Sequence, residues 1–124
     1  PTAAGDENFA APVRSWDVHV YFDSTSTEST LFALELRYQT MQVFPDLTVN
    51  RPYRSPVGPH TQAMWSCELH TPEQFSRYIP WFCTRRGELS ALLHPVTGND
   101  LLDHTERCFW IGDKLPLRLQ IFAA

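Results

Sequence analysis

At 124 residues, 43% hydrophobic and 19% charged, the chain is sized for one packed domain and too apolar for disorder. A formal charge of −4 and the lack of any Lys/Arg run argue against nucleic acid and anionic membranes as partners. No apolar run approaches the roughly 18 residues of a membrane helix. The first residues show no basic region followed by an apolar one, and Cys67, Cys83 and Cys108 lack C-x-x-C spacing, so a reduced, cytoplasmic protein is expected.

Residues 1–14 lack periodicity and read as a flexible arm, with a single domain over 15–124. From Trp16 to Phe22 the residues alternate strictly. Trp16, Val18, Val20 and Phe22 share one face of a strand, and Asp17, His19 and Tyr21 share the other. Thr25 to Glu28 is a capping-box pattern ahead of an apolar-rich helix reaching about Gln42. Val43–Val49 carries a short strand signal that Pro45 confines to an edge. The proline-rich run from Arg51 to His60 is a loop. Ala63–His70 alternates again as a third strand. Thr71-Pro72-Glu73-Gln74 then caps a helix that Gly87 ends, with Pro80 expected to kink it. A fourth strand over Leu89–His94, a short helix over Asn99–Thr105, the piece Phe109–Ile111 and a last strand-like segment, Leu117–Phe122, complete the chain.

The order β-α-β-β-α-β defines an α+β fold, the ferredoxin-like split βαβ sandwich, in which helices cover one face of an antiparallel sheet of strand order 4-1-3-2. Strands 1 and 3 are taken as parallel neighbours, with strand 4 antiparallel beside strand 1. On that reading the end of strand 4 meets the beginnings of strands 1 and 3, where His94, His19 and His60 fall. Strand parity sends His19 to the face the helices leave open, and His70 falls outside the cluster. Histidines from distant segments on one face suggest a metal site, because neutral imidazole suits iron, zinc and copper.

Several segments together resemble the DOPA 4,5-dioxygenase family, from about Trp16 to Leu117. They are Trp16-Asp-Val-His-Val-Tyr-Phe22, Val57-Gly-Pro-His60, Arg86-Gly-Glu-Leu-Ser-Ala-Leu-Leu-His-Pro95 followed by Thr97-Gly-Asn-Asp100, and Asp103-His-Thr105 leading into Phe109-Trp-Ile-Gly112. Many members of that family carry His-x-His on the first strand, where this chain has Asp17-Val18-His19. The resemblance implies extradiol cleavage of a catechol such as L-DOPA by O2. The implied cofactor is a histidine-bound divalent metal, Fe(II) first and Zn as a substitute, with no organic cofactor.

The favoured ligand set is His19, His60 and His94. Asp17 and Glu68 stand as alternatives within a two-histidine, one-carboxylate set, and Asp17 also as a partner behind a ligand. His104 would ligate the metal or handle protons. Tyr21 would handle protons or line the catechol pocket. An amino-acid substrate needs a carboxylate partner, for which Arg86 and Arg51 are named, with Arg54 and Arg85 also available. Cys67 is expected to be packing. The exposed edge strand and open sheet face suit a homodimer. The contrasting reading is a non-catalytic metal-binding or dimerisation module of the same fold.

Overall fold

A computed structural model describes residues 8–122 of the chain. Its elements run β1 (Ser15–Phe22), α1 (Thr27–Val43), β2 (Thr48–Val49), β3 (Ala63–Leu69), α2 (Pro72–Arg85), β4 (Ala91–Val96), α3 (Asp100–Asp103) and β5 (Phe109–Ile111), then a 3-10 turn over Leu119–Phe122. The strands make one sheet in the order β2-β3-β1-β4-β5, with every neighbouring pair antiparallel. This is the expected α+β, ferredoxin-like arrangement with a fifth strand added beside β4. Of the expected arm, residues 1–7 lie outside the described residues. Within 8–14, the Phe9 ring meets Phe75 edge-on at 6.3 Å, and the Arg14 N–H donates to the Val96 carbonyl at 2.9 Å.

Strands β1 and β3 are antiparallel, Trp16 opposite Leu69 and Phe22 opposite Ala63, which corrects the parallel pairing taken from the sequence. Each split crossover joins two parallel strands across a gap, and the strand filling the gap belongs to the other crossover and runs the opposite way. The start of β3 therefore lies beside the end of β1, and His60 reaches the centre of β1 by a different route. Tyr53 pairs with Met64 through N–H···O bonds of 2.8 and 3.0 Å, so the proline-rich loop folds back beside β3. A tight turn at Val57–His60, with Gly58 at φ +59°, a value that favours glycine, aims His60 over the open face.

The last segment is not a strand. Leu117 makes a single bridge to His60, and the Arg118 N–H donates to the Pro59 carbonyl at 2.8 Å, but Pro116 has no N–H to continue a ladder and the chain coils into the 3-10 turn. This tail and the 51–62 loop cover the face that the helices leave bare.

The core lies between the helices and the other face of the sheet. Val18, Val20 and Phe22 of β1 meet Trp65, Cys67 and Leu69 of β3, Ala91 and Leu93 of β4, and Tyr78 and Phe82 of α2. Each fully buried large side chain contributes about 1.5–3 kcal/mol. Helix α1 buries Leu36 and, beside it, the small residues Thr30, Ala33 and Thr40, while Leu31 and Tyr38 are exposed. The interlayer space is already filled by large rings that bond to the helix, with Trp65 Nε1–H donating to the Ala33 carbonyl at 2.9 Å and the Tyr78 hydroxyl 3.1 Å from Thr40 Oγ1. Ser26, not Thr25, caps α1 by accepting the Ser29 N–H, because Asp23 takes both the N–H and the hydroxyl of Thr25. Helix α2 starts at its expected cap, Thr71, and runs through Pro80 without interruption.

Candidate metal centre

Strand register builds the site. On β1, Asp17 and His19 project from the open face, as their alternation requires. β4 pairs with β1 so that His94 lies directly opposite Asp17 and two register positions from His19's partner Leu92, on the same face. His19 Nε2 lies 3.1 Å from His94 Nε2, and the latter lies 3.5 Å from Asp17 Oδ2. Among the described residues, Asp17, His19 and His94 offer ligand atoms all within 4.8 Å of one another. His60 comes down from the loop, its ring centroid 4.2 Å from that of His19. His104, at the end of α3, stacks 4.0 Å from His94 and 4.7 Å from Phe122. Together these side chains enclose a cavity of about 250 Å³, also lined by Pro59, Pro95, Val96, Asp100 and Asp103.

The hydrogen bonds fix which nitrogens are free. His94 Nδ1 is 2.9 Å from the Pro95 carbonyl and His104 Nδ1 is 2.7 Å from the Asp100 carbonyl. A carbonyl only accepts, so both Nδ1 atoms carry protons and both Nε2 atoms of the neutral rings keep lone pairs. The four imidazoles are neutral at pH 7. Burial, then the neighbouring His60, His94 and His104, hold His19 well below its ordinary value. Burial followed by His104 and His94 brings His60 down to about 4. Burial is also the leading cause of the downward shifts at His94 and His104. Asp17 goes the other way, pushed up to about 6 by burial and then by Glu68.

The donor set fits a divalent cation. Among the described residues, the only hydrogen-bond contact of the buried His19 ring is at Nε2, where it faces the lone pair of His94 Nε2, so the two nitrogens converge on one point. Two imidazole nitrogens at 3.1 Å match the roughly 3 Å separation of adjacent ligands about 2.1 Å from one ion. Two histidines and a carboxylate on one side of a cavity are the donor types that suit iron and leave positions open.

All four histidines taken from the sequence as site residues, His19, His60, His94 and His104, line the cavity, although His60 arrives by the loop. Asp17, left open between roles, stands within the ligand cluster. The Tyr21 hydroxyl lies 2.7 Å from His60 Nδ1, while its ring lines a second cavity of about 660 Å³ beside the start of α1. Burial raises the Tyr21 phenol. Arg86 and Arg51 do not line the histidine cavity: Arg86 donates to the Leu89 carbonyl at 2.8 Å, and Arg51 lies 4.7 Å over the Tyr53 ring. Glu68 accepts from Asn50 and pairs with the exposed His70 at 3.3 Å. Burial pushes the Cys67 thiol up to about 12, in keeping with packing. Asp100, Asp103 and Phe122 were not singled out from the sequence. Asp100 and Asp103 carried a signal in their place beside His104, but Phe122 carried none.

A ferredoxin-like sandwich with a histidine- and carboxylate-lined cavity on its open face defines a class of small α+β domains equipped to hold a metal. The model of the Dopa 4,5-dioxygenase family matches residues 16–121, and the chain belongs to that family. It is 34% identical over 113 residues to a DOPA 4,5-dioxygenase from Amanita muscaria, covering 86% of this chain but 49% of that protein. It is 42% identical over 127 residues to an uncharacterized 21.2 kDa protein from Botryotinia fuckeliana, covering 93% of this chain and 69% of that one. A dioxygenase candidate from Nostoc punctiforme, solved by crystallography, superposes with a TM-score of 0.81 at 28% identity, over 93% of this chain and 96% of its own. Family membership supports a dioxygenase. Among the described residues no helix is long and apolar enough to cross a membrane.

Proposed function

We propose that this domain is an extradiol ring-cleaving dioxygenase acting on a catechol such as L-DOPA, with Fe(II) held by His19, His94 and Asp17. The observation that carries the reading is the convergence of those three ligand atoms within 4.8 Å inside a cavity walled by neutral histidines. Bound there, ferrous iron would supply a Lewis acid for the diol and an electron relay to O2. Strands β1 and β4 fix the three ligands. Phe122 and Pro59 give the cavity apolar surface for an aromatic ring.

His60, neutral above about pH 4, is placed to take a proton from the diol, and Tyr21 holds its Nδ1 at 2.7 Å. His104, oriented by the Asp100 carbonyl, keeps an unprotonated Nε2 that serves as a second proton acceptor. The carbon–carbon bond beside the diol breaks and both atoms of O2 enter the product, one in an aldehyde and one in a carboxylate, so no outside reductant is consumed. The three cysteines, none in a disulfide, support a cytoplasmic location.

The test is anaerobic loading with Fe(II), then O2 uptake on adding L-DOPA and simple catechols, with mass spectrometry of the product. Uptake is expected with a product heavier by one O2 for the simple catechols, and by one O2 less one water for L-DOPA, whose amine condenses with the new aldehyde. Stoichiometric iron with no uptake on any catechol would overturn the reading in favour of a non-catalytic metal-binding module.

A further inference from the structure

Beyond its donors, the cavity is one-sided in charge. Asp17, Asp100 and Asp103 contribute carboxylates, and no Lys or Arg lines it among the described residues. Two of these carboxylates have assignments. Asp17 faces His94. Asp103 is 1% exposed and accepts from the Thr97 N–H and hydroxyl and from Arg107. Asp100 has none: it is exposed at the rim on α3, and its carboxylate has no hydrogen-bond or ion-pair partner among the described residues. Asp100 nonetheless lines the cavity, and its backbone carbonyl accepts from His104 Nδ1 at 2.7 Å, so the residue stands at the His104 side of the opening. Of the guanidinium groups on neighbouring segments, Arg107 bonds Thr97 and Asp103, Arg118 bonds the Gly58 carbonyl and Arg14 lies against Gly98, and none of the three lines the cavity. Arg86 and Arg51, the residues expected to meet a substrate carboxylate, lie elsewhere.

We infer that the site selects catechols by a cationic tail, with the free Asp100 carboxylate at the rim receiving the substrate's ammonium group, and that it disfavours catechols whose tail is only a carboxylate. The inference rests on the proposed catechol reading and names its substrate class. A substrate tail that leaves the cavity past His104 meets the Asp100 carboxylate, and no Lys or Arg lines that cavity among the described residues. An ammonium is attracted and a carboxylate repelled by the same group, so the two effects add in the comparison. At a half-solvated rim their sum gives a preference of about tenfold. L-DOPA fits as a zwitterion, its ammonium on Asp100 and its carboxylate toward solvent.

The experiment compares three catechols that differ only in the tail: dopamine, 4-ethylcatechol and 3-(3,4-dihydroxyphenyl)propionate. The Fe(II)-loaded protein gives kcat/KM by O2 uptake, and the Zn(II)-loaded protein, which does not turn over, gives Kd by calorimetry. Dopamine is expected to lead the propionate about tenfold in both, with 4-ethylcatechol between them. Asp100→Asn should shrink the gap to about twofold and Asp100→Lys should invert it, with an unchanged circular dichroism spectrum and urea midpoint in each as the check on folding. Equal or reversed preference in the unsubstituted protein, or a preference that survives Asp100→Asn, overturns the inference while leaving ring cleavage standing. Failure of all three as substrates overturns ring cleavage, and the Kd series still decides charge selection; if none of the three binds, that falls too.

Discussion

Replacing Asp17 with Asn should stabilise the metal-free protein at alkaline pH while removing its ability to hold metal. Burial and the nearby Glu68 carboxylate raise Asp17 from its ordinary 3.8 to about 6. For an acid whose folded value lies above its unfolded one, the folded state is disfavoured wherever both forms are charged, here above about pH 6. As pH falls from 6 to 3.8 the folded protein takes up the proton first and stability is regained; below 3.8 both forms are neutral and the effect is gone. At 1.36 kcal/mol per pH unit the full penalty is about 3 kcal/mol. With the side chain 28% exposed, solvent screening reduces the expectation to about 2 kcal/mol. Asparagine keeps the shape and carries no charge at any pH. Urea unfolding of chelator-treated protein, followed by tryptophan fluorescence, should therefore give Asp17→Asn an advantage of about 2 kcal/mol at pH 8 that shrinks by at least half at pH 4.5. An Asp17→Asn protein no more stable than the parent at pH 8, or an advantage that grows on acidification, refutes the reasoning.

His60 should act with the opposite sign. Its folded value of about 4 lies below the ordinary 6.5, so stability is unaffected above pH 6.5 and falls by up to about 3 kcal/mol as the unfolded chain protonates first down to pH 4; His60→Gln should flatten that part of the urea-midpoint profile. His19→Ala should leave a folded protein that no longer retains stoichiometric Fe(II) after desalting, and retention would remove His19 from the ligand set. Asp103→Ala leaves the Thr97 N–H and Arg107 without their acceptor and should cost about 2–3 kcal/mol in urea unfolding. Gly87→Ala meets two obstacles: φ is +57°, and the new Cβ would lie 2.7 Å from the Phe32 ring. That ring is 45% exposed and can swing away, so the backbone cost remains and a loss of about 1 kcal/mol is expected by the same measurement.

Period-two alternation on β1 was enough to put Asp17, His19 and Tyr21 on the open face, because strand parity is a local property that survives any choice of partner. The cap of α2 was equally local: Thr71, Pro72 and Gln74 carry the whole signal within one turn. What sequence could not carry was pairing. Whether Asp17 joins the ligands depends on His94 standing opposite it across β1 and β4, and register is set by contacts 77 residues apart in the chain. The orientation of β3 is a different case: the strand order 4-1-3-2 already requires β3 to run against β1, because it fills the gap of the first crossover. His60 owes its place to a loop closed by Tyr53–Met64 and by tail contacts at Pro59, and nothing short-range in Val57–His60 announces that path. The tail reads as strand because Leu117, Leu119 and Ile121 are apolar at alternate positions, yet Leu117 makes only a single bridge and Phe122 lines the histidine cavity instead of extending a ladder.

The five side chains around the cavity differ in how firmly their backbones are held. Asp17 and His19 stand on β1, flanked by β3 and β4, and His94 stands on β4, flanked by β1 and β5, so their mutual spacing is as stiff as the centre of the sheet. His60 and His104 ride on a loop and on a one-turn helix. On the proposed reading, a change that loosens either connection would alter proton handling and substrate admission while leaving the spacing of the three proposed ligands constant. The fold thereby separates a part of the site that must not move from a part that is free to be retuned.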